Sequence, residues 1–133
     1  MKNADRPRHP SAFGAGLIAL DLIVSADSPS SNQVHAGGTC SNVLTALAYL
    51  GWDSYPIARL GDDAASQVVR ADLIRWGVHL DHASCTPSAH TPIIVQQIRR
   101  KRDGTPTHSF SWACPRCGKR LPSFQPVTRT VVE

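Results

Sequence analysis

Short apolar runs along the chain predict three strands. Residues 13–20 form an apolar run without a charge, which is typical of a strand covered on both faces, and Asp21 follows at its carboxyl end. Residues 52–60 contain Trp, Tyr and Ile and predict a second strand, which Pro56 weakens because proline cannot donate a hydrogen bond to a sheet. Residues 78–83 predict a short third strand.

Between these strands, apolar side chains recur every three or four residues and predict two helices. The first has Thr39 or Ser41 available as its N-cap and Gly51 as its stop. Asp62 or Asp63 can cap the second, because a carboxylate accepts hydrogen bonds from the free N–H groups of a first helical turn. The apolar positions are Val43, Leu44, Leu47 and Leu50 in the first helix and Val68, Val69, Leu73, Ile74 and Trp76 in the second.

The remaining segments are polar or rich in β-forming residues. Residues 1–12 contain prolines and charges without apolar periodicity, so we expect a flexible leader there, and residues 25–35 predict a loop. Residues 92–100 and 105–113 flank the turn sequence at 101–104, which predicts a β-hairpin. Strands that alternate with helices before a hairpin predict the α/β class with a parallel component in the sheet.

The composition is that of one ordinary globular domain. The chain has 133 residues, of which 41% are hydrophobic and 18% are charged, and this length excludes a multi-domain enzyme. No run approaches the roughly 18 apolar residues of a membrane helix, and no small-residue cleavage site follows the basic start. We therefore expect a soluble, cytoplasmic protein without a signal peptide.

The net charge of +4 is unevenly distributed along the chain. Eight of the 14 Lys and Arg residues lie in residues 99–133, whereas residues 11–98 carry seven aspartates against three arginines. The basic stretch at 99–102 is a candidate nucleic-acid contact, but a solvated hairpin and tail is the commoner outcome of such a charge run. We therefore expect no nucleic-acid partner.

The four cysteines do not form the pattern of a disulfide framework, and they indicate a reducing compartment. Cys114 and Cys117 belong to a Cys-Pro-Arg-Cys-Gly knuckle, in which two thiolates can grip one zinc ion. A structural zinc site needs four ligands, and His108, Cys85 or a partner chain can supply the others, without diagnostic spacing. A turn with two free thiols is the alternative, since a redox role would require the pair to open a helix.

A glycine pattern at residues 14–19 matches the loose form of the dinucleotide-binding fingerprint. That fingerprint requires a strand before it and a helix that opens at its last glycine. Here a polar leader precedes the pattern and the apolar strand runs through it. We therefore predict that this segment binds no cofactor.

A second glycine pair, Gly37 and Gly38, directly precedes the first predicted helix. Paired glycines let the backbone approach a ligand, and the free N–H groups of a helix start can donate to hydroxyl or phosphate oxygens. By itself, this feature favours a tight turn that caps the helix. The wider arrangement also includes Asp21 before the pair, Asn42 after it, and Gly61 followed by two aspartates.

This arrangement resembles the N-terminal part of the PfkB carbohydrate kinase family, the ribokinase-like sugar and nucleoside kinases. The resemblance covers residues 13–100, and residues 37–61 match the family's N-terminal signature in the spacing of glycine and asparagine. Cys40 and Leu44 depart from it, because small residues are usual at both positions. Packing or substrate fit near the helix start is therefore expected to differ.

The resemblance implies a ribokinase-like α/β fold and a substrate site. Asp21 would accept hydrogen bonds from hydroxyl groups of a sugar or nucleoside, and Asn42 would bind another hydroxyl. Gly37 and Gly38 would bring backbone against the substrate. Residues 91–113, which contain the hairpin, would close as a lid over the sugar. The cofactors implied are ATP and Mg²⁺.

The resemblance also implies that residues 13–133 are the N-terminal portion of a larger kinase domain. The family's catalytic aspartate, its glycine-rich anion hole and most of its ATP site belong to the C-terminal half, and this chain holds none of them. Since phosphoryl transfer depends on positioning and charge stabilisation, we expect the isolated chain to be inactive. Residues 114–133 are expected to form an irregular tail that contains the cysteine pair.

Two other hypotheses stand beside the kinase fragment. The chain can be a small binding module, with residues 99–102 and the Cys114 knuckle contacting nucleic acid or a protein. It can instead be an incompletely folded piece, because half of a parallel sheet leaves apolar faces and an unpaired edge exposed. Such an edge favours association of copies into a homo-oligomer.

Overall fold

The computed structural model describes residues 9–25 and 32–127. Two sheets and two helices make up this part of the chain. None of its helices is long and apolar enough to cross a bilayer. In chain order the elements are β1 (Ser11–Ala15), β2 (Ala19–Ser25), β3 (Gln33–Gly37), α1 (Thr39–Tyr49), β4 (Asp53–Gly61), α2 (Ala64–Arg75), β5 (Ala83–Thr86), β6 (Ile93–Arg100) and β7 (Pro106–Ser111).

The smaller sheet contains three parallel strands in the order β1, β4, β5. β4 is its central strand, and Pro56 is fully buried within it, although the proline predicted a weak strand. Ala58 donates its N–H on the β5 side, to the carbonyl of His82 at 3.2 Å. Pro56 lies two residues earlier and therefore faces the same side, before the pairing with β5 begins at Ala58. The missing N–H thus costs this sheet no ladder bond.

The single strand predicted over residues 13–20 is two strands in two different sheets. β1 ends at Ala15 and β2 begins at Ala19. Phe13 is 59% exposed, so the expectation of cover on both faces is wrong for β1. Asp21 is the third residue of β2 rather than the residue after a strand. A continuous apolar run does not reveal a change of sheet, because the strands on both sides of the change bury apolar side chains.

The larger sheet has four strands in the order β3, β2, β6, β7. β3 corrects the predicted loop, of which residues 26–31 lie outside the described residues. Its side chains at positions 33–35 are exposed, which fits an edge strand and explains why the segment looks like a loop in sequence. The predicted hairpin is confirmed as the antiparallel pair β6–β7, with Gly104 at φ +82° in its turn.

Both predicted helices are present, and their starts differ. Asp63 caps α2 as expected, accepting a hydrogen bond from the backbone N–H of Ser66 at 2.8 Å. Gly38 precedes α1 without a side-chain cap, so the expectation of Thr39 or Ser41 as N-cap is wrong. Gly51 follows the end of α1 at φ +87°, which is the left-handed conformation expected of a helix stop.

The core lies where α2 meets both sheets. Its buried members come from β4, α2, β5 and the loops, and the apolar stripe of α2 is only partly buried, with Ile74 61% exposed and Trp76 46% exposed. The predicted third strand lies a few residues later than expected, as β5, and Val78 reaches the core from the preceding loop. The core cluster contains Ile18, Ala58, Leu60, Val69, Leu73, Val78 and Ala83.

Candidate functional site

Asp21 and Gly37 lie diagonally across the β2–β3 ladder. Asp21 pairs with His35, and Ala19 pairs with Gly37, so the aspartate and the glycine are diagonal neighbours in the sheet. A Cβ atom at position 37 would overlap the Asp21 carboxyl group. A side chain at position 37 would therefore force the Asp21 carboxyl group out of its present position.

The Asp21 carboxyl group is half-buried and incompletely hydrogen-bonded. Its Oδ1 atom is shielded from solvent and has no hydrogen-bond partner among the described residues. Burial raises the pKa of Asp21, and the nearby His35 opposes this rise only in part. A buried acceptor without a donor is costly, so this oxygen lacks a hydrogen bond that a folded protein usually provides.

Gly38 connects this pair to the start of α1. Its φ of +90° is in the left-handed region, and a Cβ there would collide with the Leu17 carbonyl. The Leu17 carbonyl accepts a hydrogen bond from the N–H of Cys40 at 3.1 Å. The glycine therefore lets the link between β1 and β2 lie directly against the first turn of the helix.

Asn42 lies in a different depression. It lines a groove of about 670 Å³ between α1 and α2, together with Ala36 and Asp72. Asp72 accepts a hydrogen bond from the N–H of Ala36 at 2.8 Å, which ties α2 to β3. Exposed Tyr49, Leu50 and Trp76 form the apolar part of the same groove.

The four predicted substrate residues thus fall into two neighbouring groups. Asp21 and Gly37 are in contact, whereas Asn42 shares its groove with neither Asp21 nor Gly38. The groups are linked through β3 and the first turn of α1, where Asn42 donates its backbone N–H to the Gly38 carbonyl at 3.0 Å. Spacing along the sequence gave their proximity in the fold but not a common pocket.

Asp63 has a second role that the helix-capping prediction missed. Its Oδ2 atom accepts a hydrogen bond from the N–H of Thr91 at 2.9 Å, while its Oδ1 atom caps α2. The Thr91 hydroxyl accepts in turn from the N–H of Gly61 at 3.0 Å, and Thr91 is completely buried. No local pattern marks this link, because the two partners are 28 residues apart.

The hairpin belongs to a larger unit than the predicted lid. β6 pairs with β2 in parallel and with β7 in antiparallel orientation, so residues 93–111 form one sheet with the strand that carries Asp21. Thr91 lies two residues before the start of β6, and its bonds to Asp63 and Gly61 attach this sheet to the end of β4 and the start of α2.

The ligands proposed beside the cysteine knuckle do not join it. Cys85 lies in the other sheet with its thiol 3.0 Å from the Gly61 carbonyl. His108 lies on β7 with Nδ1 2.7 Å from Gln96 Nε2. Within residues 9–25 and 32–127, no three His, Cys, Asp or Glu side chains lie close enough to hold one metal ion.

Solved structures of sugar kinases share this architecture. A fructokinase from Vibrio cholerae O395 superposes with a TM-score of 0.62 at 23% identity, covering 78% of this chain and 34% of its own. A 2-dehydro-3-deoxygluconokinase from Thermotoga maritima gives 0.65 at 22% identity, with 80% and 33% covered. Arabidopsis thaliana ribokinase, solved with ribose and ATP, gives 0.60 at 24% identity, with 77% and 36% covered. The fold is thus ribokinase-like α/β.

The family model for pfkB family carbohydrate kinases matches residues 12–110. The chain therefore belongs to the pfkB carbohydrate kinase family, and this resemblance, expected from the glycine and asparagine spacing, is confirmed. The chain spans about a third of the length of the kinase structures that it matches. A sequence search of curated proteins found no significant match.

Proposed function

We propose that the chain is the N-terminal portion of an ATP-dependent kinase that phosphorylates a hydroxyl group of a sugar or nucleoside. Membership of the pfkB family and the sugar kinase fold support the reaction class. The single observation that carries the site is the buried Oδ1 atom of Asp21, an acceptor without a donor. A substrate hydroxyl supplies the missing hydrogen bond.

In this proposal the two glycines shape the backbone of the site, and Asn42 contributes its side-chain amide. Gly37 keeps the space beside the Asp21 carboxylate open, and Gly38 holds the start of α1 against the β1–β2 link. Asn42 offers both a donor and an acceptor to a second hydroxyl group. Asn42 lies in a separate groove from Asp21. In this proposal, closure of the protein around the substrate brings the Asn42 amide and the Asp21 carboxylate to the same molecule.

The four-stranded sheet is proposed to act as the lid, with residues 91–113 as its outer part. Asp21 is in the same sheet as the hairpin, so movement of the sheet carries the carboxylate toward or away from the smaller sheet. The hydrogen bond from Thr91 to Asp63 attaches this sheet to the start of α2. Closure of such a lid excludes water from a phosphoryl transfer site.

ATP and Mg²⁺ are assigned to the complete kinase rather than to this chain. The chain carries no glycine-rich segment followed by a catalytic base. The residues present therefore do not fit an ATP and Mg²⁺ site. We expect the isolated chain to bind substrate weakly and to transfer no phosphoryl group.

The unpaired side of β1 is the proposed association surface. β1 is the edge of the three-stranded sheet and pairs only with β4 among the described strands. An open strand edge presents free N–H and C=O groups to a partner. Another part of a kinase fold, or a second copy, would extend the sheet at this edge.

Amide-resolved NMR titration of the chain with a panel of monosaccharides and nucleosides tests the substrate site. A substrate is expected to shift the amide signals of Gly37, Gly38 and Asn42, and Asp21→Asn is expected to abolish those shifts. Asp62→Asn is the matched control, since Asp62 is an exposed carboxylate outside the site. Shifts that persist unchanged in Asp21→Asn would contradict the assignment of Asp21.

A further inference from the structure

The groove between α1 and α2 is formed by one side of each helix. From α1 come side chains at every third or fourth position, which are Asn42, Thr45, Ala46 and Tyr49. From α2 come Asp72 and, directly after the helix, Trp76, which is four positions later and therefore on the same side. The groove volume of about 670 Å³ is that of a cleft for a small molecule.

Asp72 and Thr45 place two further polar groups in this groove beside Asn42. Asp72 is largely buried, and its Oδ2 atom accepts a hydrogen bond from the N–H of Ala36 at 2.8 Å. Its Oδ1 atom and the Thr45 hydroxyl make no hydrogen bond to the parts of the chain that the structure describes. A carboxylate accepts hydrogen bonds, whereas a hydroxyl both donates and accepts, so the pair suits the hydroxyl groups of a ligand.

The other large side chains of the groove are aromatic or aliphatic. Tyr49, Leu50 and Trp76 are exposed there. Aromatic rings are flat and rigid, and their faces pack against the C–H groups on one side of a sugar ring. A ligand that carries both hydroxyl groups and an apolar face therefore matches this groove better than a purely apolar surface of a protein partner does.

The groove does not include the Asp21 carboxylate. Its lining contains neither Asp21 nor the glycine pair, and Asp21 lies against Gly37 instead. Asp72 connects the two places through the backbone, because its bond to Ala36 holds the residue before Gly37. A ligand in the groove therefore needs no contact with Asp21.

We propose that the groove between α1 and α2 is a carbohydrate-binding site separate from Asp21. One face of a sugar ring packs against Trp76 and Tyr49, and hydroxyl groups of the ring bond to Asp72 and Thr45. Binding in this groove involves no phosphoryl transfer. The site does not depend on the proposed kinase function, which uses only Asn42 of this groove.

NMR titration of the 133-residue chain with D-ribose, D-glucose and methyl β-D-glucopyranoside tests the groove. The expected result, with at least one of these sugars, is a saturable shift of the amide signals of Ala46 and Tyr49 and of the Trp76 indole N–H. Glycerol, which has hydroxyl groups but no ring, is expected to leave the Trp76 signal unchanged. Absence of saturable groove shifts with all three sugars, or equal shifts with glycerol, would overturn the proposal.

Variants that fill the groove or remove its aromatic wall test which residues bind the sugar. Ala46→Phe and Trp76→Ala are each expected to weaken binding by about tenfold or more. Val43→Phe is the matched control for Ala46→Phe, because Val43 is exposed on α1 but lines a different depression. Asp72→Ala is also expected to weaken binding, and far-UV circular dichroism shows whether it stays folded without this acceptor for β3. Asp21→Asn is expected to keep the groove shifts.

The outcomes of these titrations separate the groove from the proposed kinase site. Groove shifts that are lost in Asp21→Asn, or weakened equally by Ala46→Phe and Val43→Phe, would overturn the separate groove. Shifts confined to Gly37 and Gly38 would overturn the groove and leave the assignment of Asp21 standing. Groove signals that move on dilution of the sugar-free chain would show that a second copy covers the groove, which would also overturn the proposal.

Discussion

The Asp63 carboxylate accepts a hydrogen bond from the backbone N–H of Thr91 at 2.9 Å, although 28 residues separate them. The same carboxylate caps α2 through Ser66 at 2.8 Å. One side chain therefore fixes the start of the helix and the base of the four-stranded sheet. This double role makes Asp63 the residue at which helix stability and sheet attachment are coupled.

Removal of the Asp63 carboxylate is expected to destabilise the chain. Asp63→Ala leaves the N–H groups of Ser66 and buried Thr91 without acceptors, and we expect a loss of about 2–4 kcal/mol in the free energy of unfolding. Urea denaturation measures this loss. Asp62→Ala is the neighbouring control and is expected to change stability by less than about 0.5 kcal/mol, since Asp62 is exposed. Equal losses in the two variants would contradict the role of Asp63.

The contribution of Asp63 is expected to depend on pH in the acid range. Burial acts to raise the pKa of Asp63, but hydrogen bonds from Thr91 and Ser66 outweigh it and hold the pKa below its usual value. Because the folded-state pKa is lowered, the stabilisation is complete above the unfolded-state value of about 4 and is lost as the pH falls through the folded-state pKa. The stability difference between wild type and Asp63→Asn, measured from pH 7 to pH 2.5, should therefore shrink at the acid end. A constant difference would speak against this titration.

The contribution of Asp21 to stability is expected to depend on pH in the opposite direction to that of Asp63. Burial raises the pKa of Asp21 in the folded chain, so its contribution to stability is most favourable below the unfolded-state pKa and declines as the pH rises through the folded-state value. Asp21→Asn should stabilise the chain at pH 7 by up to about 1 kcal/mol, a gain that solvent screening limits at this half-buried group. Thermal unfolding at pH 7 and pH 3 measures it, with a smaller gain expected at pH 3. Destabilisation at pH 7 would be the contrary result.

Gly37 is expected to tolerate alanine only when Asp21 is shortened. A Cβ at position 37 overlaps the Asp21 carboxyl group, so Gly37→Ala should cost about 1–3 kcal/mol. In an Asp21→Ala background the overlap is absent, and the same substitution should cost less than about 1 kcal/mol. A double-mutant cycle in urea measures the coupling. Additive effects would mean that the two residues do not meet.

Two adjacent residues of α2 are expected to differ sharply in their contribution to stability. Leu73 is 1% exposed and belongs to the core cluster, whereas Ile74 is 61% exposed. Leu73→Ala should destabilise the chain by about 2–5 kcal/mol, because it leaves a cavity. Ile74→Ala should cost under about 1 kcal/mol. Chemical denaturation of the two variants compares them, and similar losses would contradict the assigned face of the helix.

The sequence predicted those elements whose signals are local. The two helices, the hairpin around Gly104 and the cap at Asp63 depend on side-chain periodicity and on turn or capping residues a few positions apart. Local sequence patterns gave the wrong prediction where the position of a strand within its sheet decided the structure. Pro56 lies in a central strand because its missing N–H faces a side with no partner at that residue. β3 exposes its first three side chains because it is an edge strand.

The candidate site shows the same division. By itself, the sequence determined the types and spacing of the residues near α1, including Asp21, the glycine pair and Asn42, because their chemistry and order along the chain are written in it. Only the tertiary structure decided that Asp21 lies against Gly37, that Asn42 faces another groove, and that Asp63 bonds to Thr91. These relationships follow from strand register and from packing between distant segments, which are set by the free energy of the whole fold rather than by any local pattern.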